Sequence, residues 1–161
     1  MPTLLKPSYG TPTTITFTTS GLATDTNLLA GRQSAIVNNN TDLAIDALVG
    51  WSILTGTTTA DRVIEIWAGA TWDDGTTYIA GGGGGDAALS PATIGIKRGL
   101  KLLAVIDVTD TTGRTFTGMA SLAQAFGGTM PQRWHLYCVH NTGANLSTST
   151  WKYTPVQYTN V

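Results

Sequence analysis

Leu43–Leu54 reads LAIDALVGWSIL, and the reading of this stretch decides the fold. Leu43, Ile45, Ala47, Val49, Trp51 and Ile53 are apolar at every second position, while Asp46, Gly50 and Ser52 lie between them. Side chains alternate across a strand, so a period of two marks a strand with one buried face. A helix would carry Asp46 and Gly50 round to the side of Leu43 and Ala47, which fits worse. Gly50 inside such a strand predicts a bulge or a close backbone approach. Residues 55–61 (TGTTTAD) turn the chain, and Arg62–Trp72 alternates again, with Ile64, Ile66 and Ala68 against Val63, Glu65 and Trp67. Two alternating runs joined by a turn predict antiparallel neighbours.

Working outward, Asp73-Asp74-Gly75 is a hairpin signal, because glycine takes a positive φ without a Cβ clash, and Thr76–Ala80 is expected to return as a strand. Gly81–Gly85 is too costly in entropy for any regular element and reads as a flexible loop. Ala92–Ile96 is expected as a short edge strand. Lys101–Val108 (KLLAVIDV) is almost continuously apolar, the pattern of a strand buried on both faces. After a turn at Thr109–Gly113, Phe116 lies in a short strand. Ser121–Phe126 fits a short helix with Ser121 as N-cap and Gly127-Gly128 as its stop. Arg133–His140 is a strand with Trp134, Leu136 and Cys138 on one side, and Asn141-Thr142-Gly143 turns it. Leu146 and Trp151–Tyr158 supply the last strand or two, with Pro155 favouring an edge.

Toward the N-terminus, Arg32–Val37 is a short strand ended by Asn38, Asn39 and Asn40. Thr24–Gly31 is a loop. Thr13–Thr19 (TTITFTT) puts Ile15 and Phe17 on one face and threonine on the other. Residues 1–12, with Pro2, Pro7 and Pro12, read as an extended arm that orders only when something holds it. The expectation is an all-β chain, a single-domain antiparallel β-sandwich of jelly-roll type over residues 13–161, with the arm and one helix near 121–126.

Composition narrows the function classes. A chain of 161 residues suits one domain and can bury about 70% of its unfolded surface. Nine basic and ten acidic residues give a net charge of -1 with no basic run, which argues against a nucleic-acid partner. Charged residues are only 12% of the chain, against about 25% in an ordinary globular domain. So little charge opposes self-association weakly and suits a protein that works inside an assembly. The longest apolar run, Leu102–Ile106, is too short to span a bilayer, so no membrane partner is expected. MPTLLKPSYG has no apolar core of signal-peptide type, which predicts a chain that stays in the cytoplasm where it is made.

The chemistry-bearing residues form no persuasive constellation. Cys138 is the single cysteine and falls on an apolar stripe, as a buried inert thiol does. His135 and His140 are five apart and point to opposite strand faces, so they cannot share a site. Neither has a nucleophile motif beside it, and surface or interface positions are expected for both. Glu65, the only glutamate, pairs with Asp46 at best as a hydrolytic carboxylate couple, and the plainer reading is a charge on a solvent-facing hairpin. Asp73-Asp74-Gly75 lacks the alternating acidic ligands of a calcium loop. The glycine run meets Asp86 where a phosphate loop needs Lys-Ser or Lys-Thr. No catalytic residue, cofactor or metal is expected. The aromatics are more informative: Trp51 and Trp134 lie on apolar stripes, whereas Trp67, Trp72, Trp151 and Tyr78 are less clearly inside. Exposed aromatics either stack on sugars or anchor protein interfaces. Candidate interface residues are Pro7, Tyr9, Pro12, Trp67, Trp72, Tyr78, Trp151 and Tyr153.

Two runs carry a resemblance: AFGGTMPQRWHLYCVHNTGANL at 125–146, followed by a tyrosine-rich strand, and IEIWAGATWDDGTTY at 64–78. From Leu43 onward the chain resembles the capsid decoration, or cement, proteins of tailed bacteriophages; the first forty residues do not share the pattern. The resemblance implies a non-enzymatic virion protein on the outside of an expanded capsid. It would bind the major capsid protein at junctions between capsomers, as a dimer or trimer, and resist internal DNA pressure. The rival expectation is a carbohydrate- or receptor-binding module of a phage tail or fibre using Trp67, Trp72 or Tyr78. A small sandwich-fold hydrolase using His135 and Glu65 is the third.

Overall fold

The computed structural model describes residues 5–59, 61–109 and 111–160. Met1–Leu4 of the expected arm lie outside these residues, as do Ala60 and Asp110 in two of the expected turns. Eleven strands occur among the described residues: β1 Leu5–Tyr9, β2 Thr13–Thr14, β3 Gly31–Gln33, β4 Val37–Asn38, β5 Asp46–Thr55, β6 Arg62–Ala70, β7 Ala87–Leu89, β8 Lys101–Val108, β9 Thr115–Ser121, β10 Arg133–His140 and β11 Leu146–Asn160. Two one-turn helices, α1 Ile94–Lys97 and α2 Leu122–Ala125, complete the elements together with a 3-10 turn at Ile79–Gly81.

The strands form two antiparallel sheets. One runs β1-β11-β5-β9, with β2 also on β11; the other runs β7-β3-β10-β6-β8, with β4 also on β10. The pairing is nested. β6 pairs with β8, β5 with β9, β3 and β4 with β10, and β1 and β2 with β11. The chain is thus one long hairpin with its tip at residues 71–100, and the hairpin is wrapped so that successive pairs fall in opposite sheets. That is a jelly roll.

Period-two patterning supplies the core between the sheets. Ala47, Val49, Trp51 and Ile53 of β5 face Ile64, Ile66 and Ala68 of β6 and Trp134, Leu136 and Cys138 of β10, with Trp151, Ile15 and Phe17 closing the layer. α2 sits where expected, its N-terminus held by the Ser121 hydroxyl on Gln124 N at 3.1 Å and by Asp46 Oδ1 on Ala123 N at 2.8 Å. A second, smaller cluster lies outside the second sheet. Leu89, Leu100, Tyr137 and Val139 pack there with Trp67 and Ile79, so β10 is buried on both faces.

Several sequence expectations are corrected. β8, not β10, was expected to be buried on both faces, yet it is the outermost strand of its sheet, with Leu102 46% and Val105 49% exposed. A near-continuous apolar run reports composition, and the nesting order decides who is central. Leu43 and Ile45 fall outside β5 and are exposed, because the Asn39 side chain brackets Ala44 N and O at 2.9 and 3.0 Å and holds 39–44 as a loop. Thr76–Ala80 is not a strand. A single Thr71–Tyr78 bridge closes the turn, and Asp73 Oδ1 accepts from Thr76 N and Thr77 N. Ala92–Ile96 holds the start of α1 instead of an edge strand, since the Thr93 hydroxyl caps Ile96 N at 3.2 Å.

The N-terminal region differs too. Ile15 and Phe17 are buried as the alternation requires, but the ladder covers only Thr13–Thr14. Beyond it the chain crosses between sheets, with Ile15 N on Trp151 O and Ala35 N on Thr16 O. Residues 5–9 of the arm are held as β1 along residues 156–160. Pro155 sits inside a sheet, not at its edge. Its carbonyl accepts from Gly10 N at 2.8 Å, so its missing N–H faces the break between β1 and β2, where no ladder bond is lost.

Candidate functional site

The residues a hydrolase would need are separated or sealed. Cys138 is fully buried in the core, and desolvation pushes its thiol up to about 12. His140 is buried as well, not at the surface as expected; Nδ1 lies 3.0 Å from the Thr142 hydroxyl and Nε2 2.9 Å from Leu22 O. His135 is likewise buried, on the opposite face of β10, and among the described residues neither of its ring nitrogens has a hydrogen-bond partner. Tyr78 meets its ring edge-on at a centroid distance of 5.6 Å. A Cβ at Gly69 or Gly82 would overlap the His135 ring, so part of the glycine run is a close-packed cover where a flexible loop was expected. Desolvation lowers the His135 pKa to about 4, which leaves the ring neutral near pH 7.

Glu65 and Asp46 do not meet. Asp46 accepts from Ser121 Oγ at 2.7 Å and serves α2. Glu65 is on the other sheet, on its outward face, and is not the solvent-facing charge that the hairpin reading suggested. Its Oε2 accepts from Lys97 Nζ at 2.7 Å and from Trp67 Nε1 at 2.9 Å. Lys97 Nζ also donates to Leu28 O at 2.7 Å and lies 5.2 Å from the Trp67 ring centroid. These groups wall a cavity of about 310 Å³, lined also by Asn27, Arg98 and Leu102. Lys97 was not singled out from the sequence. Its one signal was Thr93, three residues before Ile96, as an N-cap that starts a turn and folds Lys97 inward.

The eight candidate interface residues part company. Trp151 is 1% exposed and packs on Phe17, and its Nε1 donates to the Thr19 hydroxyl at 3.0 Å, so it is a core residue. Tyr153 is half-buried, edge-on to Trp134 at 5.6 Å. Tyr78 is half-buried over His135, and Trp67 is half-buried beside Glu65. Trp72, 76% exposed, and Pro7, Tyr9 and Pro12 remain at the surface. β11 runs past the last β5 pair at Val156–Asp46, so 157–160 and residues 5–8 pair as a two-stranded ribbon carrying exposed Leu5 and Tyr158, with exposed Tyr9 at its base. Ile45 N donates to Val156 O and Asn40 Nδ2 to Asp74 Oδ1, so the loops carrying Leu43, Ile45 and Trp72 lie at the same end of the sandwich.

The second exposed feature is β8. One side of it pairs with β6, and among the described residues no strand takes the other. Met119 of β9, Ile94 of α1, Leu102 and Val105 stand exposed around it. Among the described residues, no group of three His, Cys, Asp or Glu side chains is placed to hold a metal ion, and no helix is long and apolar enough to cross a membrane. Comparison with family models, curated proteins and solved structures returns no match to this chain.

Proposed function

We propose that this chain is a virion structural protein, a decoration protein that binds the outside of an expanded tailed-phage capsid as a homo-oligomer. The observation that supports assembly is the open β8 edge. Among the described residues no strand pairs with the outer side of β8, beside exposed Leu102 and Val105, and such an edge is what a free monomer avoids and what strand addition between subunits uses. The bulge between Ile66 and Trp67 disturbs the Lys101–Leu103 end of the edge, and residues 104–108 stay regular. In this reading β8 joins copies, while the ribbon end, with Tyr9, Trp72 and Tyr158, meets the major capsid protein. Its role is mechanical and not enzymatic. The capsid part rests on the likeness from Leu43 to the end of the chain; a jelly roll alone serves capsid and lectin domains equally.

Co-sedimentation with purified tailed-phage shells tests it. Binding to expanded shells, weak binding to unexpanded ones, and loss of binding in Trp72→Ala are expected. Failure to bind expanded shells overturns the capsid assignment.

A further inference from the structure

The Trp67 cavity is independent of the assembly reading, apart from Leu102, which borders both surfaces. We propose that it is a saccharide site taking a single pyranose that carries a carboxylate. Three observations lead there. First, this charge-poor chain places its only glutamate and its one buried lysine together here, among the described residues. An ion pair whose side chains are only 5% and 15% exposed costs desolvation, so its presence calls for a reason beyond stability. One ammonium proton of Lys97 and the second oxygen of Glu65 have no protein partner among the described residues, and both side chains line the cavity.

Second, the β6–β8 register shifts between Ile66 and Trp67. Such a bulge re-aims a side chain, and here it sets Trp67 opposite Leu102 on the outward face. The cavity therefore offers an indole and an aliphatic side chain beside Asn27, Glu65 and Lys97. A pyranose presents the matching pair of surfaces, a C–H face for the apolar wall and hydroxyls for amide, carboxylate and ammonium. About 310 Å³ is at the small end of ligand pockets, which suits one ring. Third, Glu65 and Lys97 neutralise each other, and the exposed Arg98 leaves the lining with one net positive charge. A guanidinium pairs a carboxylate in bidentate geometry.

The test is a nitrogen-labelled NMR titration of the full chain, reading the Trp67 indole N–H, assigned with Trp67→Phe. The probes are methyl β-D-glucuronide, methyl α-N-acetylneuraminide and, as neutral control, methyl β-D-glucoside. At least one acidic glycoside is expected to give saturable shifts with a millimolar dissociation constant, and the glucoside to bind roughly tenfold weaker. Arg98→Gln, at an exposed position that leaves the fold intact, is expected to erase that difference. No saturable shift with either acidic probe up to about 50 mM overturns the proposal, as does equal binding of the glucoside or an unchanged preference in Arg98→Gln.

Discussion

His135 shows what one residue can decide. It is buried, neither ring nitrogen has a hydrogen-bond partner among the described residues, and Tyr78, Gly69 and Gly82 press on the ring with Leu100 and Gln33 beside them. Its folded pKa of about 4 lies below the ordinary 6.5. The unfolded chain therefore binds this proton first as pH falls. The stability contributed by the neutral ring is fully present above about pH 6.5 and is lost progressively down to about pH 4, a loss of roughly 3 kcal/mol. His140, also held down by burial, acts in the same direction. Urea unfolding from pH 7 to 4 is expected to show a steeper loss for the native chain than for His135→Leu, and parallel curves would refute the assignment. The glycine cover makes a companion case. Gly82→Ala drives a methyl into the His135 ring and is expected to cost about 1–3 kcal/mol. At Gly84 the new Cβ would meet only the Gln33 amide at 3.1 Å, the far end of a flexible side chain, so Gly84→Ala should cost less. Thermal unfolding of the two variants separates a packed cover from a free loop. Nothing local announced the burial of His135, because histidine suits surface and core alike; its cover comes from Gly69 and Gly82, distant in sequence.

At the scale of elements, alternation was legible and rank within the sheet was not. β6 and β10 appear where period two placed them, β5 begins at Asp46 where Leu43 was expected, and α2 follows Ser121 as its cap required. Thr93 has the same capping chemistry, and it turned an expected edge strand into α1. β8 misled because apolar content tells how sticky a strand is, not how many neighbours it has. The nested hairpin makes β6 the inner strand and leaves β8 at the rim. This gives a contrast that substitution can read. Val105→Lys adds a charge to the exposed edge opposite Glu65, where opposite charges across strands are tolerated, so the change in stability should stay within about 0.5 kcal/mol. Ile66→Ala, in the layer between the sheets, should cost about 2–5 kcal/mol. Denaturant midpoints for the two check this; a large loss for Val105→Lys would mean that β8 is not an open edge. The candidate cavity was only half visible in the sequence. Trp67 and Glu65 stand two apart on one strand, but Lys97 reaches them only through the folding of α1.

For the whole molecule, among the described residues two unlike exposed surfaces stand out: the β8 rim and the end bearing the β1–β11 ribbon and Trp72. Low charge and open apolar edges are coherent in a subunit and hazardous in a lone monomer, which is the physical content of the assembly reading. The most direct measurement is hydrogen exchange of the β8 amides in the free chain, dilute and concentrated, and then bound to expanded shells. Fast exchange is expected at the free edge of residues 104–108 when dilute, and protection as copies associate and on the shell. Unchanged β8 exchange in a chain that still binds shells would contradict the joining of copies through this edge, and a chain that stays dilute-like at every concentration would contradict association altogether.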